Sequence, residues 1–210
     1  MMLGEQSRDR RAERHEATRA EILEAAWAIA RAEGLTALTL RDVAQRVGMR
    51  APSLYVYFDS KHAIYDAMFA DGYRQFAEMS NAIPEQDDLR AELRDSIKSF
   101  LAFSTEDPAR HQLMFQRWIP GFEPSPEAYA VSVEVMERTV DRFMRGGVAD
   151  PAAIDLWTAL VAGLASQQLA NDPGGDRWVR LADEAVDMFF DHLVKTGRVA
   201  RRRQPKGAKK

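Results

Sequence analysis

The sequence contains no cysteine, which removes disulfides, thiolate nucleophiles and cysteine-type zinc sites together. Only four histidines are present (His15, His62, His111 and His192), and none forms an HExxH pair or any other ligand spacing, so no metal site is expected. No run of about 18 apolar residues exists, and a membrane partner is therefore not expected. The opening stretch MMLGEQSRDRRAERHE lacks the apolar core of a signal peptide, which points to a cytoplasmic protein. A GxSxG elbow and a phosphate-binding glycine loop are both missing, so neither an enzyme nor a bound cofactor is expected. Strand-like alternation of apolar and polar residues is absent as well.

What is present is helical. Hydrophobic residues make up 46% of the 210 and charged residues 29%, a balance that suits a globular chain with a sizeable core. The net charge of −3 conceals a division: residues 1–80 carry −1, residues 81–197 carry −9, and RVARRRQPKGAKK at 198–210 carries +7. Such segregation suggests different partners for different parts.

From Thr18, the residues Ile22, Leu23, Ala26, Trp27, Ile29 and Ala30 recur at helical spacing and form one broad apolar face. Thr18 with Glu21 has the form of a capping box, and Gly34 is a natural stop. Thr39 and Asp42 open a short helix, LRDVAQRV, which Gly48 ends. Pro52 suits the first turn of the next short helix, and Ser60 caps a long one. Five further helices are expected at about 86–104, 108–118, 125–145, 151–171 and 176–196, broken at proline- and glycine-rich junctions. The fold class is all-α, with about nine helices.

Two short helices joined by a tight glycine turn form a helix-turn-helix. Val43, Val47 and Leu54 have the spacing of its small core, and Ala44 is small where the helices cross. The outward face of the second helix is then Arg50, Ala51, Ser53, Tyr55 and Tyr57. Short residues permit close approach to a DNA groove, while hydroxyls and a guanidinium supply hydrogen bonds.

The stretches EILEAAWAIARAEG, LTLRDVAQRVG and APSLYVYFDSK, in this order and spacing, resemble the N-terminal domain of the TetR family of bacterial transcription regulators. The resemblance covers about Thr18 to Met68. It implies a homodimer on a near-palindromic, double-stranded operator, with each recognition helix in the major groove. It further implies phosphate contacts from Thr39 and Lys61, phosphate or sugar contacts from Tyr55 and Tyr57, and base-edge contacts from Arg41, Arg50, Ala51, Pro52 and Ser53. Two departures stand out. Arg50 occupies a position where the family often has a capping Ser or Thr, and Tyr57 replaces the commonest His.

The implied organisation is a basic arm at 1–17, a DNA-binding domain at 18–62, a ligand-binding and dimerisation domain at 63–197, and a disordered basic tail at 198–210. For the effector, His111, Met114, Phe115, Trp118, Phe122 and Trp157 are the expected pocket, which suits an apolar or aromatic small molecule. For the dimer, Leu156, Leu160, Gly163 and Leu164 give one apolar face, and Ala185, Met188, Phe189 and His192 give another, enough for a four-helix bundle. The reading is a dimeric repressor released by a small molecule. An effector-independent DNA-binding dimer is the alternative within the same class. An all-α enzyme or small-molecule carrier is the alternative outside it.

Overall fold

Thr39, Ser60, Asp107, Ser125 and Asp150 each stand at the start of a helix and accept a backbone N–H of its first turn. The computed structural model describes residues 2–199, with side chains from residue 10 onward. Among the described residues there are nine α-helices, two 3-10 turns and no strand. The helices are α1 (Met2–Glu33), α2 (Leu40–Arg46), α3 (Ala51–Leu54), α4 (Lys61–Asn81), α5 (Leu89–Glu106), α6 (Pro108–Phe115), α7 (Pro126–Arg145), α8 (Pro151–Asn171) and α9 (Ala182–Lys195). The fold is all-α, as expected. Proline occupies the first helical position of α6, α7 and α8, where its missing N–H has no intrahelical partner to lose.

The chain divides into two compact units. The first comprises the residues up to Phe76 together with Asp107–Val133. Its core gathers Ile22, Ala26, Trp27 and Ile29 of α1, Val43 and Ala44 of α2, Leu54 and Phe58, and Ile64, Tyr65 and Met68 of α4, with Leu113 of α6. Polar ties cross this core. The indole Nε1 of Trp27 donates to Asp71 at 2.9 Å, and Arg31 Nε donates to the buried Asp107 at 2.8 Å. Asp107 therefore caps α6 and holds α1 with one carboxylate.

One expected boundary is corrected. Thr18 does not begin α1 but lies inside it, and its hydroxyl donates to the Arg14 carbonyl one turn back, at 2.9 Å. The stretch from Glu5 to Ala17 is rich in Glu, Arg, Ala and Gln and contains no Gly or Pro, so nothing interrupts the helix. The segment expected as an arm is continuous backbone helix from Met2.

The second unit comprises Ala77–Glu106 and the chain from Glu134 onward. Leu93, Ile97 and Leu101 recur every fourth residue along α5 and are fully buried. Phe143, Trp157 and Phe189 form an aromatic cluster with ring centroids 5.4–6.2 Å apart. Along the outside, Arg90, Arg94 and Lys98 of α5 pair with Asp183, Asp187 and Asp191 of α9. The last helix starts at Ala182 and not at 176, because the preceding backbone is held elsewhere. Buried Gln168 accepts the N–H groups of Trp178 and Val179 through its side-chain oxygen, at 2.8 and 3.3 Å. A 3-10 turn, Val179–Leu181, fills the gap. Arg198, expected in the tail, pairs with Asp150 at 2.9 Å; residues 200–210 of that tail lie outside the described residues.

Candidate nucleic-acid interface and ligand cavity

The geometry between α2 and α3 is set by glycine. Gly48 has φ +71°, a conformation that L side chains avoid. Its N–H bonds to the Gln45 carbonyl at 3.2 Å, and the N–H of Met49 reaches back to Ala44 at 2.8 Å, the paired closure of a Schellman motif. The chain then leaves extended at Arg50 (φ −76°, ψ 141°) and enters α3 at Ala51. Val43, Ala44 and Leu54 are buried between the two helices, and half-buried Val47 packs against them.

This arrangement turns Arg41, Arg50, Pro52, Ser53 and Tyr55 outward, with Ala51 half-buried beside them. Tyr55 is 55% exposed although its ring is large and partly apolar. Arg50 makes no cap hydrogen bond. Its guanidinium leaves the end of α3 uncapped, which costs roughly 1 kcal/mol. Thr39 accepts the Asp42 N–H at 3.2 Å and is itself exposed at the start of α2.

Two expected DNA-contacting residues are engaged within the protein. Tyr57 is half-buried and stacks on His15 of α1, centroids 4.7 Å apart and planes 29° apart. Its carbonyl accepts Arg19 Nη1 at 2.6 Å, while the same guanidinium lies 4.2 Å from the Phe58 ring. Lys61 donates to the Thr36 carbonyl at 3.0 Å and sits 5.3 Å from the Tyr65 ring. Two of its three N–H donors remain available at the first turn of α4, where backbone N–H groups and the helix dipole also attract an anion. His15 and Arg19 were not anticipated; they meet this region across about 40 residues of chain, and no local pattern announces such a meeting.

A cavity of about 210 Å³ lies in the first unit, among α4, α6 and the turn that leads to α7. Met114, Phe115, Trp118 and Phe122 are among the residues that line it. Phe69, Tyr73 and Tyr129 complete the aromatic wall and were not anticipated. Tyr73 donates its hydroxyl to the Met114 carbonyl at 3.3 Å, and burial, reinforced by Tyr129, pushes its ionisation well above the ordinary phenol range. It is therefore a neutral donor at any working pH. On the rim, exposed Arg117 and Glu123 stand 3.8 Å apart.

His111 and Trp157 do not line this cavity. His111 is 1% exposed, with its ring 5.2 Å from Phe115. Burial pushes its pKa down to about 4, so the imidazole is neutral near pH 7. Trp157 belongs to the second unit's core, between Phe143 and Phe189. The hydrophobic periodicity of α8 could not say which side of that helix is inward, since the helix is apolar nearly all round.

In α8 the only charged residue is Asp155. Leu156 and Gly163 are exposed, and Leu160 and Leu164 are half-buried. On α9, Met188 is 61% exposed and His192 is exposed too. Ala185 and Phe189, expected on the same outward face, are turned into their own core instead; Phe189 is 5% exposed and packs on Phe143 and Trp157. Leu193, one turn beyond Phe189, is fully buried as well, which marks that side of α9 as the inner one. Among the described residues, no helix is long and apolar enough to cross a membrane.

A three-helix core with a glycine-closed turn and an outward face of Arg, Ser and Tyr defines a helix-turn-helix DNA-binding protein. Residues 22–68, the segment that holds the helix-turn-helix, match the family model described as bacterial regulatory proteins, tetR family. Over 164 residues it is 26% identical to the "Putative mycofactocin biosynthesis transcriptional regulator MftR" of Mycobacterium tuberculosis, spanning 75% of this chain and 76% of that protein. Among solved structures it is similar to one described as "putative regulatory protein SCO4313" (TM-score 0.71, 23% identity, 86% of this chain and 98% of that one). It is also similar to FadR of Bacillus subtilis in complex with stearoyl-CoA (TM-score 0.62, 16% identity, 81% and 96%).

Proposed function

We propose that the protein is a homodimeric cytoplasmic repressor that binds a near-palindromic operator and leaves it when a small apolar or aromatic effector enters the cavity beside α4 and α6. The observation that carries the reading is the position of Phe122. Its ring lines the cavity and also meets the Tyr65 ring edge-on, with centroids 5.6 Å apart. Tyr65 in turn donates its hydroxyl to the Leu35 carbonyl at 2.6 Å, four residues before the Thr39 cap of α2. A ligand that moves Phe122 acts through one ring and one hydrogen bond on the entry to the helix-turn-helix. Such a ligand shifts the population of conformations competent for the operator.

In this reading Arg41, Arg50, Ala51, Pro52 and Ser53 reach base edges, and Thr39, Tyr55 and Lys61 contact phosphate or sugar. Tyr57 contributes its ring edge and, through His15, helps to position α1. The outward faces of α8 and α9 (Leu156, Leu160, Gly163, Leu164, Met188 and His192) form the dimer bundle, because a helix with one charge in 21 residues has no solvated face to offer. The aromatic wall and the cavity's size favour a compact, ring-containing effector over a long acyl chain.

The test is fluorescence anisotropy with DNA from upstream of the protein's own reading frame, over a salt series and against random competitor. Saturable binding that survives competitor, weakens with Arg41→Ala and is reversed by an aromatic effector supports the reading. Binding that no candidate effector reverses leaves an effector-independent DNA-binding dimer. A monomer by sedimentation at micromolar concentration removes the bundle.

A further inference from the structure

In the second unit, Arg138, Arg142 and Arg145 succeed one another on α7 at spacings of four and three, which sets their side chains along one helix face. Glu92 of α5 is buried opposite them. Arg142 donates Nε to Glu92 Oε1 at 2.8 Å, and Arg145 donates Nη2 to the same oxygen at 3.0 Å. Arg145 also stands 3.5 Å from Glu85. Two of the three guanidinium groups are thereby matched.

Arg138 is not. Its Nη1 is shielded from solvent and has no hydrogen-bond acceptor, and among the described residues it forms no ion pair, not even with Asp141 three positions along. Beside it lies a predominantly polar cavity of about 290 Å³, lined by the three arginines and by Ser80 and Asn81 from the last turn of α4. Ile83, Glu85, Glu92 and Asp141 complete the lining. A shielded cationic N–H without an acceptor is rare in folded proteins, and each instance calls for an ion, a ligand or a water. The cavity has ample room, since a water occupies about 30 Å³ of liquid. The donors already present are a guanidinium fork, a hydroxyl and an amide, a set whose geometry matches a carboxylate or a phosphate.

We infer that this cavity is an oxyanion site, in which Arg138 with Ser80 and Asn81 holds a phosphate or carboxylate group, either as a free ion or on a metabolite. It is separate from the aromatic cavity of the first unit and does not depend on how that one is used. The acidic residues on its lining restrict it to a small anion with one or two charges, because Glu85 and Asp141 repel a larger one. A bound anion bridges the end of α4 to α7 within the unit.

The experiment is isothermal titration and thermal unfolding of the full chain with sodium phosphate, and with sodium acetate, against sodium chloride at equal ionic strength. Saturable binding or stabilisation by phosphate or acetate beyond that of chloride is expected. Arg138→Gln is expected to weaken it by about tenfold or more, the effect of one charge-assisted hydrogen bond. Asp141→Asn, an exposed change that breaks no contact, is expected to tighten it severalfold by removing a repelling charge from the lining. Inorganic phosphate binding more tightly than methyl phosphate marks a free ion, and equal binding marks a group carried on a metabolite; both support the site. A response identical to chloride, or an affinity that Asp141→Asn leaves unchanged, overturns it even if Arg138→Gln fails to fold.

Discussion

Asp66 holds both hydrogen-bond donors of Ser125: its Oδ1 accepts the backbone N–H at 2.6 Å and its Oδ2 accepts the hydroxyl at 2.7 Å. The same hydroxyl oxygen caps α7 by accepting the Ala128 N–H at 3.1 Å. One carboxylate on α4 thus fixes where α7 begins, directly after the turn that carries Phe122. Hydrogen bonds to a charged group contribute about 1.5–3 kcal/mol each, and partial compensation by water lowers the sum. Asp66→Ala is expected to cost about 2 kcal/mol in urea denaturation, and to reduce the effector-induced loss of DNA binding by freeing the Phe122 turn. Unchanged stability would show that the contact contributes nothing.

Arg50 stands at a helix N-cap without capping it. Restoring a hydroxyl there should separate stability from function. Arg50→Ser is expected to raise stability by about 1 kcal/mol while weakening operator binding, the first through a cap hydrogen bond and the second through loss of a guanidinium. Chemical denaturation and anisotropy on the same preparation measure both. A variant that is stabler and binds as tightly removes Arg50 from the DNA contact.

Gly72 and Gly146 are both closely approached, with different consequences. A Cβ on Gly72 would fall 2.7 Å from Met114 Sδ, the mobile end of a side chain that lines the aromatic cavity. On Gly146 it would meet Leu89 at its Cβ and both methyl carbons, within 2.5–2.9 Å. Gly72→Ala is expected to change stability by less than about 1 kcal/mol but to displace Met114 and shrink the cavity, lowering effector affinity. Gly146→Ala is expected to cost about 1–3 kcal/mol, because a branched side chain anchored at its own Cβ cannot retreat. Thermal melts rank the two, and effector titration checks the first.

His111 gives the protein an acid limit. Its pKa is pushed by burial from 6.5 to about 4, so the folded protein resists taking up a proton that the unfolded chain accepts below about pH 6.5. The sign follows from linkage: this contribution is fully present above pH 6.5 and is lost as the pH falls toward 4. At 1.36 kcal/mol per unit the loss approaches about 3 kcal/mol. Urea denaturation from pH 7.5 to 4.5 should show it, with His111→Gln giving a flatter profile. Parallel profiles would mean that the imidazole is freely protonated in the folded state.

Much of this architecture is legible in the sequence where one residue acts on its own neighbours. Thr39 and Ser60 cap the helices they precede, and Gly48 closes the helix-turn-helix, because capping and left-handed turns need only a few adjacent residues. Thr18 has the same local form as a cap, yet the strong helix formers upstream run straight through it. What lies outside local reach is the partner. Tyr73 meets Met114, and Gln168 captures the Trp178 N–H, across 41 and 10 residues respectively, and neither pairing leaves a periodic trace. Facing is the second obscurity: along apolar α8 and the mixed surface of α9, periodicity could not tell that Trp157, Ala185 and Phe189 turn inward while Leu156 and Met188 turn out.

The placement of the four tryptophans has an optical consequence. Trp27 and Trp157 are buried, in the first and the second unit respectively, and Trp178 is half-buried with its backbone N–H held by Gln168. Trp118 alone among them is largely open to solvent, at 61%, and it stands on the wall of the aromatic cavity. In a protein without thiols to label, this indole is a built-in chromophore: iodide or acrylamide quenches it first, its emission lies to the red of the buried pair, and both properties change when something settles beside it.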